Sequence, residues 1–528
     1  MSLPDLIEIV PLDQPVHAEI TVPGSKSITN RALILAALAE GEVTLEGALW
    51  SEDTQIMVEC LQELGFMVDV RPDPNEDCNR TITVYGKGGA IPPGGTEEQP
   101  MELFVGNAGT AARFLAAFVC LGKGVYRLHG VPRMHERPQA ALFQALRELG
   151  YRVDSPNDKL PATIFCEDER ERGSVSRSIL NNETATNDSE RDVPGEPAAG
   201  YRPALPLRRS CKVSIEQSSQ FASALLLCAN RGGWQVEIIG ENAEESPYVA
   251  MTLKLIEVFP KRGGEFLIEP DASSGSYFWA AGWLSPNPIL DRSDSVNERL
   301  QTILAKAATK PELQAELQNI LAGASAYHAW WQQMPEVIRR GDEAEGQWLI
   351  ELSRAHTVVG VKHWPRSRWQ IDSEFPNVTR GADEISRKDQ LGDSIMTAVI
   401  CAPFEQFSVR FTDLGRLRVQ ECERVSALRT ELTKCGAKVI EEGDTLTVYP
   451  SGLHGAEIET YNDHRMAMCF AILGLKVPGI KIKNPACVKK TFPNFFQKLA
   501  TAPPNGLGAT ILDGTTGKVL THEELFAD

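Results

Sequence analysis

The sequence predicts an α/β protein built by internal duplication, and three observations carry that reading. A helix-then-strand unit of the form L-x-x-(L/C)-G-x-x-V occurs at residues 61–68, 146–153 and 432–439. In two of the three copies a further alternating run follows, at 81–85 and 445–449. The chain has 528 residues, too many for one core of ordinary size, so two or more domains are expected.

In each copy an amphipathic run stops at a glycine (Gly65, Gly150 and Gly436) suited to the left-handed position after a helix, and a short apolar strand follows. Chance is the alternative, because glycine after a helix is common. Two stretches break the pattern. Residues 167–209 hold a charge run and many Ser and Asn, with no aromatic residue before Tyr201, and read as a mobile excursion. Residues 285–370 hold five of the nine Trp (Trp330, Trp331, Trp348, Trp364 and Trp369). There 295–308 and 311–321 look helical, with Pro311 in a first-turn position and Gly323 as a stop, so a mostly helical insertion packed on the main body is expected.

Composition narrows the function classes. Hydrophobic residues are 42% and charged residues 23%, an ordinary globular balance. A net charge of −18 argues against nucleic acid or an anionic membrane as the main partner, but not against a small anion held by a local basic cluster. The longest apolar runs, such as 32–39, fall far short of the roughly 18 residues of a membrane helix. The start Met1-Ser2-Leu3-Pro4-Asp5 lacks the layout of a secretion signal. The eleven cysteines are scattered, without C-x-x-C or H-E-x-x-H, so no metal site is expected and a reducing cytoplasm is.

Several motifs could carry chemistry. Pro23-Gly24-Ser25-Lys26-Ser27 leads through Asn30-Arg31 into a strong helix former, presenting free N–H groups with Lys26 and Arg31 nearby. That is a ready anion site, though not a Walker loop. Gly106-Asn107-Ala108-Gly109 opens a second helix with small residues that allow close approach of a ligand; a tight packing turn is the alternative. Basic residues flank a helix start at 132–138, and Ser218-Ser219-Gln220 supplies hydroxyl and amide groups before another helix. Arg424 follows the acid-rich 420–423 run, His464-Arg465 precede a small apolar run, and Lys490 lies near the end. Each alone reads equally well as a solvated charged face.

In combination they resemble the 3-phosphoshikimate 1-carboxyvinyltransferases, or 5-enolpyruvylshikimate-3-phosphate (EPSP) synthases. The resemblance runs in order through P-G-S-K-S-x-x-N-R (23–31), G-N-A-G-T-A (106–111), P-R-M-x-x-R-P (132–138), S-S-Q (218–220), D-A-S-S (271–274), G-D-x-x-M-T (392–397), R-V-x-E (418–421), N-D-H-R-M-A-M (462–468) and K-T-F-P (490–493). It implies the enolpyruvyl transferase inside-out barrel fold, two similar lobes each of three βαβαββ units. One lobe would hold 1–21 and 269–528, including the insertion at 285–370. The other would hold 22–268, including the excursion at 167–209. The implied reaction transfers the enolpyruvyl group of phosphoenolpyruvate to the 5-hydroxyl of shikimate 3-phosphate, releases phosphate and needs no cofactor or metal. A cytoplasmic monomer is expected.

The resemblance also implies site residues. Shikimate 3-phosphate would be held by Lys26, Ser27, Arg31, Ser218, Ser219, Gln220, Tyr248, Asp393, Arg416 and Gln420. Phosphoenolpyruvate would be held by Lys26, Asn107, Gly109, Arg133, Gln220, Arg424, Arg465 and Lys490. Asp393 would be the base at the hydroxyl, Glu421 would serve the proton transfers at carbon, Lys26 would stabilise developing charge, and His464 would orient Glu421 or Arg465. Two phosphates and two carboxylates bring a charge of about −5 to −6, which such a cation set suits. Gly109 suggests sensitivity to the family inhibitor glyphosate. The chain departs from the family at Gln420, where the family has Lys, and at Arg416, where it has Asn. If 414–421 ends in a strand, Arg416, Arg418 and Gln420 share a face, and Arg416 could restore the missing charge. The rival readings are the sister transferase acting on UDP-N-acetylglucosamine, which uses a Cys in a mobile loop and whose pattern does not include the motifs at 132–138 and 218–220, and a lapsed paralogue that only binds an anionic metabolite.

Overall fold

The computed structural model describes residues 3–166, 209–240, 246–285, 358–365, 367–378 and 381–527. Four sheets of four strands share one pattern, an outer parallel pair continued by two antiparallel strands. One sheet runs Met101–Phe104, Gly124–His129, Ala162–Cys166, Arg152–Asp154 in spatial order; another runs Glu384–Ser386, Val409–Thr412, Thr445–Val448, Val439–Glu442. Along the chain each is strand, helix, strand, helix, strand, strand. The helices are Gly109–Phe118 and Ala140–Glu148 in the first, Ile395–Cys401 and Arg424–Lys434 in the second. The other two sheets each take in a strand distant in sequence. Gly264–Leu267 joins Glu40–Leu49 in one, and Leu6–Ile9 lies between Ile480–Lys483 and Ile511–Asp513 in the other. Two parallel strand pairs complete the set, Arg209–Ser214 with Trp234–Ile239 and His17–Ile20 with Val358–Val361.

The repeat glycines explain why the units end where they do. Gly65, Gly150 and Gly436 have φ of 82°, 85° and 94°, the left-handed region that lets each helix turn straight into its strand. Apolar faces then fill two separate cores. One gathers buried residues between Ile28 and Ile268, the other those from Leu3 to Val22 and from Tyr277 to Ala527. The chain crosses between them twice, and the crossings are bonded to each other: Ser25 N–H donates to the Glu269 carbonyl and Asp271 N–H to that of Pro23, both at 2.8 Å. An ion pair joins the segments around the two cores again, from the half-buried Lys498 Nζ to the buried Glu76 Oε2 at 2.7 Å.

Three local expectations need correction. Arg209 is not part of an excursion but the first residue of a paired strand, and 167–208 lie outside the described residues. The two expected helices at 295–308 and 311–321 also lie outside them. The far end of that stretch is not helical: Val358–Val361 is a strand beside His17–Ile20, followed by a 3-10 turn at Ile371–Glu374. Its two described tryptophans pack on different cores, Trp369 on the 28–268 core and Trp364 edge-on to Trp279 on the other. The third correction is at 415–419, which is a 3-10 helix rather than a strand. Leu417 is its buried residue, so a three-residue rather than a two-residue period places the arginines beside it.

Candidate active site

One cavity is lined by residues from the segments around both cores. On the 28–268 side the helix Lys26–Leu38 is buried for most of its length, which fixes its first turn against the cavity. Ser25, Lys26, Ser27 and Arg31 line the opening, and Lys26 Nζ lies 3.0 Å from Asp53 Oδ2. Arg31 donates to Thr252 Oγ1 (2.8 Å), Ser223 Oγ (3.1 Å) and the Ser27 carbonyl (2.9 Å), with Phe114 5.3 Å away under its guanidinium. The helix Ser219–Gly232 is capped by Ser218, whose hydroxyl accepts from Gln220 N–H. The Gln220 side chain donates to Thr110 Oγ1 at 3.1 Å and accepts from Arg113, so its amide is fixed before any ligand arrives. Ser219 and Tyr248 line the same wall.

Arg133 is a correction. It is on the exposed face of the short helix Pro132–Glu136, pairs with Glu136 and does not line the cavity. The second arginine of that motif does. Arg137 stands just past the helix, where Nη1 donates to the Asn107 carbonyl at 3.1 Å. Asn107 therefore contributes through its backbone. Gly109 leaves room for the same guanidinium, since a Cβ there would lie 2.7 Å from Arg137 Nη2.

The opposite wall is ionic. Asp393 precedes the helix Ile395–Cys401 and meets four side chains. Its Oδ1 accepts from Arg387 Nη2 at 3.2 Å and Gln420 Nε2 at 3.3 Å; Oδ2 lies 3.3 Å from Arg465 Nε and 3.6 Å from Arg424 Nη1. Burial alone pushes this carboxyl up, but Arg465, Arg424 and Arg387 overcome it and hold the group well below the usual carboxylate range. Glu421 behaves alike: burial raises it, while Lys490 at 3.2 Å, Arg424 at 2.8 Å, His464 and Lys26 hold it low. Arg424 opens the helix Arg424–Lys434 and is anchored by Asp463, with Nε 2.7 Å from Oδ2. Arg465 reaches Ser273 Oγ at 3.1 Å and Tyr277 Oη at 3.4 Å. His464 is 2% exposed and held neutral, its pKa pushed well down by burial and by Arg465 and Lys26. Its Nδ1 has no hydrogen-bond partner, and no direct bond joins it to Glu421.

Arg416 does not stand in a strand beside Gln420 but in the 3-10 helix at 415–419. Arg416 lines the cavity but donates across it to the Gln217 carbonyl of the other lobe. Arg418 turns away to Glu423, Glu441 and Asp444. Gln420 bridges Asp393 and Arg424. Sequence reading missed Arg137, Arg387, Arg113 and Asp372, all of which line the cavity. Arg137 was within reach, as the second basic residue of a motif already singled out.

With these included the lining carries nine Lys or Arg side chains against five Asp or Glu, a positive recess in a protein of net charge −18. Two paired carboxylates at its centre can move protons while the cations hold anions. Among the described residues no group of three His, Cys, Asp or Glu is arranged to hold a metal ion, and no helix is long and apolar enough to cross a membrane.

This fold is the one seen in solved enolpyruvyl transferases. The EPSP synthase of Acinetobacter baumannii superposes with a TM-score of 0.58 over 96% of this chain and 99% of that one, at 17% identity. The enolpyruvyl transferase NikO of Streptomyces tendae does so with 0.51 over 97% and 99%, at 14% identity. The family model for EPSP synthase (3-phosphoshikimate 1-carboxyvinyltransferase) matches residues 11–176 and 379–499. Curated 3-phosphoshikimate 1-carboxyvinyltransferases of Trichormus variabilis and Opitutus terrae are 33% and 34% identical, covering 94% and 95% of this chain and 98% of each relative. The chain belongs to the EPSP synthase family.

Proposed function

We infer that this chain transfers the enolpyruvyl group of phosphoenolpyruvate to the 5-hydroxyl of shikimate 3-phosphate, with release of phosphate, through addition and then elimination. The observation that carries the residue assignments is the pairing of Asp393 and Glu421 with cations that face the cavity. Shikimate 3-phosphate lies against the wall of fixed hydroxyl and amide groups, Ser27, Arg31, Ser218, Ser219, Gln220 and Tyr248, with Arg416 above it. Phosphoenolpyruvate takes Lys26, Arg137, Arg424, Arg465 and Lys490, beside Gly109.

Substrate binding changes the partners of the acids. As the anions draw Arg424, Arg465 and Lys490 towards themselves, Asp393 and Glu421 lose positive neighbours and gain negative ones, and both pKa values rise. Asp393 becomes a stronger base and removes the hydroxyl proton. Glu421, now able to carry a proton, gives it to the methylene carbon as the C–O bond forms. In the second half Glu421, left as carboxylate, removes a proton from the new methyl group as the C–O bond to phosphate breaks. Lys26 stabilises the charge on the departing oxygens. His464 stays neutral behind Glu421, a shape and desolvation partner.

The reaction set is supplied by one chain, so a monomer suffices. All eleven cysteines are free and ten are buried, which fits a reducing cytoplasm. Phosphate release from phosphoenolpyruvate, followed by a coupled assay with and without shikimate 3-phosphate, tests the reading. Release that requires shikimate 3-phosphate supports it; release with UDP-N-acetylglucosamine instead, or none with either, contradicts it.

A further inference from the structure

We propose that Arg387 is a positioning residue for Asp393, the cation that remains beside the base once phosphoenolpyruvate has engaged the others. This rests on Asp393 being the base. Arg387 follows the strand Glu384–Ser386, and its N–H donates to the Thr412 carbonyl at 3.2 Å, so its backbone is fixed to the neighbouring strand. Its side chain is 2% exposed and reaches the cavity, where Nη2 meets Asp393 Oδ1 at 3.2 Å. A guanidinium is seldom buried so fully unless an anion compensates it.

The two oxygens of Asp393 are served differently. Arg465 and Arg424 approach Oδ2, and both are in the set that binds phosphoenolpyruvate. Oδ1 has Gln420, a neutral amide, and Arg387. When substrate draws the first pair away, Arg387 is left to offset Glu421, the acid that raises Asp393 from the 420–421 turn; Asp372, on the 3-10 turn at Ile371–Glu374, is itself raised by burial and by Asp393. Arg387 thus keeps the base ionised in the loaded site and holds Oδ1, leaving Oδ2 for the substrate hydroxyl. The loss of positive charge at Gln420 is made good at Asp393 Oδ1 from a different segment.

The test is the pH dependence of kcat, which reports the loaded site, for Arg387→Gln, Arg387→Met and Arg387→Lys, each alone and combined with Gln420→Lys. The neutral variants should lose about 10- to 100-fold in kcat with the KM for phosphoenolpyruvate little changed, and the acid limb of kcat should move up by about 1–2 pH units. Arg387→Lys should keep the limb in place. Gln420→Lys, placing an ammonium at the same oxygen, should recover about tenfold in the neutral background and bring the limb back down. An unshifted limb in Arg387→Gln overturns the proposal, as does a folded double variant without recovery. If the neutral variants fail to fold, Arg387→Lys decides: a retained limb supports the proposal and a raised one overturns it. Asp393→Asn separates the two claims. Full activity there would overturn the base assignment itself, whereas an inactive Asp393→Asn beside an unaffected Arg387→Gln overturns only the role of Arg387.

Discussion

The two walls of the cavity hold their cations in different ways. On the 28–268 side Arg31 rests on hydroxyls, a carbonyl and a ring face, and Arg113 on an amide oxygen, a carbonyl and the Phe221 ring. Lys26 on that wall pairs with Asp53. On the other side Arg387, Arg424, Arg465 and Lys490 are each matched to a carboxylate. Neutral partners fix a cation without spending its charge, so the first wall is a ready cradle for a phosphate. Carboxylate partners store the charge in pairs that an incoming anion must reopen, and reopening them is what shifts the acids. One wall recognises and the other reacts.

The largest effect should follow from the reacting wall. Asp393→Asn should lower kcat by about 10²–10⁴-fold with shikimate 3-phosphate binding largely kept, measured by steady-state kinetics and by titration of the ligand. Loss of binding with little loss of turnover would break the comparison. Next comes stability. Arg424→Met strands Asp463, which is fully buried, and should cost about 3–5 kcal/mol in denaturant unfolding. Arg31→Met, which strands the hydroxyls of Thr252 and Ser223, should cost about 1–3 kcal/mol. Equal costs would mean that the two walls do not differ in kind.

A smaller effect concerns acid. His464 has a pKa well below 6.5 in the folded chain, set first by burial and then by Arg465. Its contribution is complete above the unfolded value and falls as pH drops towards the folded one, by roughly 1.4 kcal/mol per unit. Unfolding free energy measured between pH 7 and pH 5 should therefore fall less steeply in His464→Gln than in the unaltered chain. Smallest of all, Arg133→Ala should leave the KM for phosphoenolpyruvate within about twofold, while Arg137→Ala should raise it about tenfold, near 1.4 kcal/mol.

Most of this wall-by-wall arrangement was legible in the sequence because its residues sit at helix starts. Lys26, Gln220, Arg424 and His464 each stand in the first turn of a helix whose capping and apolar pattern can be read locally. Where that support fails, so does the reading. Arg133 and Arg137 share one motif, but the helix between them has only five residues, too few for a period to show which one faces inward. The alternation R-L-R-V imitates a strand, yet burial of Leu417 and the bonds of Arg418 to three acids wind it into a 3-10 turn. Arg387 belongs to no motif; it lies six residues before Asp393, and the pairing of its strand with Val409–Thr412 fixes the start of the segment that joins them.

The division of labour is tested most directly at the carbon that gains and loses a proton. If Glu421 protonates the methylene group and later deprotonates the resulting methyl, turnover in deuterium oxide should place deuterium in the vinyl group of the product, because the methyl hydrogens become equivalent before one departs. Mass spectrometry of the product after a single turnover reads this. Deuterium in the product of the unaltered chain, with single-turnover product formation by Glu421→Gln slowed by about 10²-fold or more, is the expected result. An unlabelled product from the unaltered chain, or Glu421→Gln forming labelled product at an undiminished rate, would contradict it.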